Sequence, residues 1–397
     1  MLMNKELYCD YSATTPVLPE VLVEMMQYFL GGYGNPSSVY AKGREAKMAI
    51  ESARTRIANI FKCEPEEIIF TSGGTESDNL AIKGVAQKKG KDKLYITSKI
   101  EHPAILNTFK ELERLGYRVM YLDVDKYGFI NIQQIEQVIT DKEDIALVSI
   151  MYANNELGTI QQIDLISQML KKYDKNIIFH TDAVQAVGKK EIILDGSNID
   201  LLSASGHKFG APKGVGFLYK RNGIKLNCQN IGGGQELGLR SGTENVAGIV
   251  GMAKALEIHM DNLYYNLNEL QKKENYFISL LLHIGMDNDI IHFNSIKPDG
   301  SKRKIGGVIN VRFDNVGSQS LLLYLDNKNI CVSAGSACHS DSDTPSHVLK
   351  SIELTDEEAL SSIRISFDNT ITIDELDYLA QSIKEGVDYC RQMTIST

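Results

Sequence analysis

Seven short apolar runs, rich in β-branched and aromatic residues, recur within the first 220 residues: "EIIFTSG", "LYITSK", "RVMYLDV", "IALVSIMY", "NIIFHTDA", "IDLLSASG" and "GVGFLYK". Each has the length and composition of a strand. Stretches with helical spacing separate most of them, such as "PAILNTFKELERLG". Alternating strands and helices build a mainly parallel sheet with helices on both faces, since each parallel neighbour needs a crossover that covers the sheet. The last two runs are nearly adjacent, which predicts an antiparallel edge strand there. Ahead of the first run, Ala46, Ala49, Ile50, Ala53, Ile57, Ile60 and Phe61 recur at three and four, the apolar face of a helix.

After about Ala255 the pattern changes to a long polar helical stretch, then "GGVINVRF", "SSIRISF" and an amphipathic tail. These predict a small α+β domain over 259–397 and a large domain over 16–258. Residues 1–15 are expected to pack on the small one. The 397 residues suit such a division. A net charge of −9 argues against binding nucleic acid or an anionic membrane surface. The start has no apolar core of a signal peptide, and the apolar runs are too short to span a bilayer. Six cysteines without a CxxC pair suggest neither a zinc site nor a disulfide framework, and so a reducing, cytoplasmic setting. The histidines fall into no HxxxH or HxH pattern, so no metal site is expected.

Five runs end in chemically loaded residues. Gly73, Gly74 and Thr75 follow the first, and Glu101 and His102 the second. Asn154, Asn155 and Glu156, then Asp182 and Gln185, then Ser205, His207 and Lys208 follow three more. Ligands of open α/β sheets bind beyond the carboxyl ends of the strands, so the five sets converge if the runs are parallel neighbours. Gly-Gly-Thr at a helix start offers amides to a phosphate, or serves as a plain N-cap. "GGGQELG" at 232–238 reads as a turn or a second phosphate contact. Lys208, flanked by small residues, is placed to be desolvated into a nucleophilic amine. Asp182 suits a protonated ring nitrogen, and His102 a stacking or proton-moving role. Far along the chain, "SAGSACHSDSDTP" sets Cys338 among small polar residues, where a thiol is accessible rather than packed.

Eleven motifs in order, "YSATTP", "GNPSS", "SGGTESDN", "EHPAI", "NNELG", "DAVQ", "SGHKFGAPKGVG", "GGGQE", "RSGT", "GSAC" and "SSIRIS", resemble the cysteine desulfurases of the NifS and IscS type. Those are class V, fold-type I pyridoxal-phosphate enzymes, and the resemblance runs from Tyr11 to about Leu379. It implies an α/β fold with a mainly parallel seven-stranded sheet in the large domain and a small α+β domain. It implies Lys208 as the cofactor lysine, and Asp182 at the pyridine nitrogen. Gln185 and Asn155 are implied at the ring, and His102 stacked on it. Gly74, Thr75, Ser205 and His207 would hold the phosphate, with Thr243 reaching the phosphate of a neighbouring subunit in a homodimer. Arg364 would clamp the substrate carboxylate. Cys338 would take sulfur from L-cysteine as a persulfide, leaving alanine.

The long cysteine loop favours transfer to a protein acceptor. That acceptor would be an iron–sulfur scaffold, a tRNA-thiolation enzyme or another carrier. Alternatives are a relative acting on selenocysteine or another amino acid, and a non-catalytic binding subunit. Leu237 stands where the family commonly has arginine, and Asp368-Asn369 where Gly-Arg is usual.

Overall fold

The computed structural model describes residues 6–283, 290–295, 303–335 and 344–395. The chain opens with β1 (Leu7–Tyr8), α1 (Pro19–Leu30) and α2 (Ala41–Phe61). Then β2 (Ile68–Thr71), α3 (Gly74–Lys89), β3 (Leu94–Ser98), α4 (Pro103–Arg114) and β4 (Arg118–Leu122) alternate. The alternation continues with α5 (Ile132–Thr140), β5 (Ile145–Ser149), α6 (Ile163–Tyr173) and β6 (Ile178–Asp182). β7 (Leu201–Ser205) and β8 (Gly216–Lys220) follow, then α7 (Val246–Asp261) and α8 (Leu263–His283). The remainder comprises β9 (Ile291–Phe293), β10 (Val308–Phe313), α9 (Ser318–Asp326), β11 (Ile330–Cys331), α10 (His347–Ser351), α11 (Asp356–Leu360), β12 (Ser362–Ser366) and α12 (Ile373–Ile395).

The seven apolar runs form one sheet in the order β2-β8-β7-β6-β5-β3-β4. β8 runs antiparallel to both neighbours, and the other pairings are parallel. The expectation of an antiparallel edge strand is half corrected: β8 is antiparallel but internal. The return from β7 over residues 206–215 has no crossover helix, which fixes the direction of β8. Its outer side still carries unpaired backbone groups, which β2 satisfies. Four of its five residues are buried, as on a central strand.

Side chains alternate between two faces with the strand period of two. Ile69, Tyr95 and Leu147 join Leu80, Val85, Ile105 and Phe109 of α3 and α4 on one face. Ile68, Phe70, Ile96 and Val148 meet α2, α5, α6 and α7 on the other. The predicted face of α2 is buried at Ala46, Ile50, Ala53, Ile57 and Phe61.

A second core gathers residues of α8, α9, α12, β10 and β12, including Phe277, Phe313, Leu321 and Leu379. The long helical stretch after Ala255 is two helices, separated at Asn262. β10 lies between β9 and β12 in an antiparallel sheet. The segment at the start of the described chain crosses between the cores. β1 pairs in parallel with β11, and Asp10 bridges Ser366 beside β12. Thr15 then donates its amide to the His207 carbonyl on the other core. Among the described residues no helix is long and apolar enough to cross a membrane.

Candidate active site

Beyond the carboxyl ends of β2, β3, β5, β6 and β7 lies a cavity of about 450 Å³. Gly73, Gly74, Thr75, His102, Asn155, Asp182, Gln185, Ser205, His207 and Lys208 all line it, so every strand-end set contributes. Arg364 enters from β12, and Ser12 and Ala13 from the opening segment. Glu101, Asn154 and Glu156 do not line it. Glu101 is buried, where its carboxylate accepts from Ser98 Oγ at 2.5 Å and the Met151 amide at 3.0 Å. Asn154 Oδ1 accepts the amides of Glu156 and Leu157, which shapes the loop.

At one end of the cavity, the start of α3 is closely packed. Gly73 has φ +152°, and a Cβ on Gly74 would come within 2.7 Å of Val184 Cγ2. A Cβ on Gly216 would meet Gly73 Cα at 2.7 Å. Glycine is required there, which leaves the first-turn amides of α3 facing a cavity with Ser205 and His207 on its rim. Burial, helped by Lys208 and Lys213, lowers the His207 pKa to about 4, so its ring is neutral.

At the deep end, Asp182 closes β6, and its Oδ1 accepts the Val184 amide at 2.9 Å. Burial raises its pKa to about 6, against the pull of that amide and of Lys208. Beside it, His180 bonds Ser149 Oγ at 2.8 Å and Ser203 Oγ at 3.0 Å. Burial depresses the His180 pKa to about 3, so it offers no positive charge to Asp182. A cationic ring nitrogen is the partner such a buried carboxylate lacks.

Lys208 ends the turn after β7, and its Nζ donates to the carbonyls of Ser12 and Ala13, both at 2.7 Å. Burial, then Lys189 and Arg364, lowers its pKa to about 8, with Asp10 and Asp182 opposing. An amine so placed is readily deprotonated and nucleophilic near neutral pH. His102 is the N-cap of α4, and its Nδ1 accepts the Ala104 amide at 3.1 Å. That bond places the proton of the neutral ring on Nε2. Arg364 is buried. Its Nη2 donates to Asp10 Oδ1 at 2.7 Å, and its Nη1 to the Asn155 carbonyl at 3.0 Å. Gln185 donates Nε2 to the Ser12 carbonyl at 3.0 Å.

Two further expected site residues stand apart from this description. Thr243 is exposed and away from its lining. Cys338 lies outside the described residues. The residues flanking that segment meet at Glu156. Ser346 Oγ donates to Glu156 Oε2 at 2.6 Å, and a Cβ on Gly335 would lie 3.5 Å from the same oxygen. "GGGQELG" is a turn and makes no part of the cavity lining. Its buried Glu236 accepts from Arg54 at 2.7 and 2.9 Å and from the Phe70 amide at 2.7 Å. Sequence reasoning missed the Ser12 and Ala13 carbonyls and Asp10. "YSATTP" marked the place, but a backbone acceptor leaves no residue-type signal.

A family model described as aminotransferase class-V matches residues 7–379. A protein named cysteine desulfurase IscS from Clostridium botulinum strain Hall is 45% identical, over 99% of this chain and 97% of its own length. One of the same name from Methanosarcina thermophila is 44% identical over 98% and 94%. Among solved structures, a NifS-like protein superimposes with a TM-score of 0.89 at 37% identity, covering 97% of this chain and all of that one. A structure titled SspA in complex with cysteine gives 0.78 at 38% identity, over 91% and 99%. Matches of this length take in the sheet, the strand-end residues and Arg364 together, and the chain belongs to the class-V aminotransferase family.

Proposed function

We propose that this chain is a pyridoxal-phosphate-dependent cysteine desulfurase, which takes sulfur from L-cysteine, releases L-alanine and holds the sulfur as a persulfide on Cys338. The observation that carries the reading is a poised lysine amine and a buried carboxylate, Asp182, lining one cavity, with Arg364 in its wall. The desulfurase names of relatives at 44–45% identity support it.

Pyridoxal phosphate, when bound, supplies an electron sink for the α-carbon of an amino acid. Lys208 would hold it through the amine, and Asp182 would keep the ring nitrogen protonated. Gly74, Thr75, Ser205 and His207 would hold the phosphate, joined by Thr243 of a neighbouring subunit in a homodimer. Gln185 and Asn155 would flank the ring. His102 would cover one face, with its Nε2 proton directed by the Nδ1 bond. Arg364, fixed by Asp10 and the Asn155 carbonyl, would receive the substrate carboxylate, a planar fork that lysine does not reproduce. The Cys338 thiolate would form an S–S bond to the substrate sulfur as the Cβ–S bond breaks; the electron pair of that bond goes to the Cβ side, which takes up a proton to become the methyl group of alanine. An acceptor protein, an iron–sulfur scaffold or a tRNA-thiolation enzyme, then takes the persulfide sulfur.

The large domain over 16–258 would bind the cofactor, and 259–397 would carry the cysteine loop. The separate cores and the break at Asn262 support that division. The exposed Leu22, Val23, Met26, Phe29 and Leu30 of α1 support a second subunit.

The test is incubation of the purified protein with L-cysteine and a thiol reductant, counting alanine and sulfide together. Equal release is expected. Lys208→Ala should lose both products and the visible absorbance. Cys338→Ala should keep the cofactor and the spectral response to cysteine while losing sulfur transfer. Wild-type turnover by Cys338→Ala would overturn the thiol assignment.

A further inference from the structure

A second cavity, of about 180 Å³, lies behind Lys208 where the two cores meet. Its walls are largely apolar, with Leu18, Leu263, Leu270, Val308 and Phe367 among them. Lys208 and Lys189 both line it. A short polar chain joins the two amines. Lys208 Nζ donates to the Ser12 carbonyl at 2.7 Å, and Gln185 Nε2 donates to the same oxygen at 3.0 Å. Gln185 Oε1 in turn receives Lys189 Nζ, in a long contact of 3.5 Å. We infer that Lys189 is a positioning residue that holds down the proton affinity of Lys208, with Asp368 as its counter-charge.

The charges around the pair support this. Lys208 faces Asp10, Asp182, Arg364, His207 and Lys189. Asp10 is already engaged by Arg364. Lys189 faces Asp368, Arg364 and His259, and burial favours neutral His259. Asp368 is thus the anion left for Lys189. It sits just past β12, with its Oδ1 accepting from the amide and hydroxyl of Thr370. A second cation across an apolar cavity disfavours a proton on Lys208, because few mobile charges screen it. Burial also lowers the Lys189 pKa to about 8, with Asp368 opposing. Asp368 is one of the positions where the sequence departs from the pattern it resembles, so the setting belongs to this chain.

The inference rests on Lys208 being the cofactor lysine, and one experiment separates the two. The visible absorbance of the holoenzyme, titrated with pH in the absence of cysteine, reports the proton on the nitrogen joining Lys208 to the cofactor. Lys189→Met and Lys189→Gln should each raise the midpoint by about one pH unit. Lys189→Arg, which keeps the charge, should leave it at the wild-type value or below. Unmoved midpoints in both neutral variants would overturn the inference. A wild-type protein with no such band, or a band that survives Lys208→Ala, would sink the functional reading and the inference with it.

Discussion

Asp182 shows how a single side chain is set against its own surroundings. Its folded pKa of about 6 lies above the usual carboxylate value of 3.8. The folded, cofactor-free protein therefore binds a proton more tightly than the unfolded chain does between those values. Stability falls as pH rises through that window, and above it the cost is complete. Asp182→Asn should therefore stabilise the cofactor-free protein at pH 8, have little effect at pH 4, and fail to retain the cofactor. Thermal melts at the two pH values with and without pyridoxal phosphate check this. An apo protein destabilised at pH 8 would contradict it. Asp182, Lys208 and His102 were legible in the sequence because each follows an apolar run, and the sheet fixes where such residues go. Asp78 and His180, buried beside Asp182, were not singled out. Asp78 lies within a helix and His180 within a strand, where residue type alone does not distinguish packing from chemistry.

Elements meet most tightly at the start of α3. Gly74→Ala would push a methyl into Val184, and overpacking of this kind costs about 1–3 kcal/mol. Gly74→Ala should lower the melting temperature and weaken cofactor retention, and Val184→Ala in the same chain should recover part of both. Arg54, on α2, makes a different kind of joint. It reaches Glu236, the Glu51 carboxylate and the Ile68 carbonyl, and stacks 4.6 Å from the Phe70 ring centroid. Arg54→Met would leave Glu236 buried without its cation, at a cost of about 3–5 kcal/mol, measurable by urea unfolding. Leu237, next to Glu236, is exposed with a left-handed φ of +57°. The alternation of strands and helices announced the sheet. The internal place of β8 was not legible, because it depends on β2 joining it from far back in the sequence, Thr71 pairing with Gly216.

For the whole molecule, the deciding feature is the segment from Leu7 to Thr15. It pairs with β11, neutralises Arg364 through Asp10, and supplies the carbonyls that hold Lys208. Asp10→Asn should cost about 2–3 kcal/mol, because it strips a buried guanidinium of its charge partner. It should also raise the concentration of cysteine needed for half-maximal turnover more than it lowers the maximal rate, since Arg364 would lose its orientation. Steady-state kinetics beside a denaturant titration check both. The same segment imposes an order on assembly. Asp10 and Arg364 are 354 residues apart, so their contact closes nearly the full length of the chain. On the ribosome, the residues that cradle Lys208 emerge early and then wait for β11 and β12 to be made. A nascent chain can build the large sheet and the α3 turn, yet it cannot finish fixing the segment that holds Lys208 until the last strand has left the exit tunnel. The cavity is therefore completed late, as a property of finished chains.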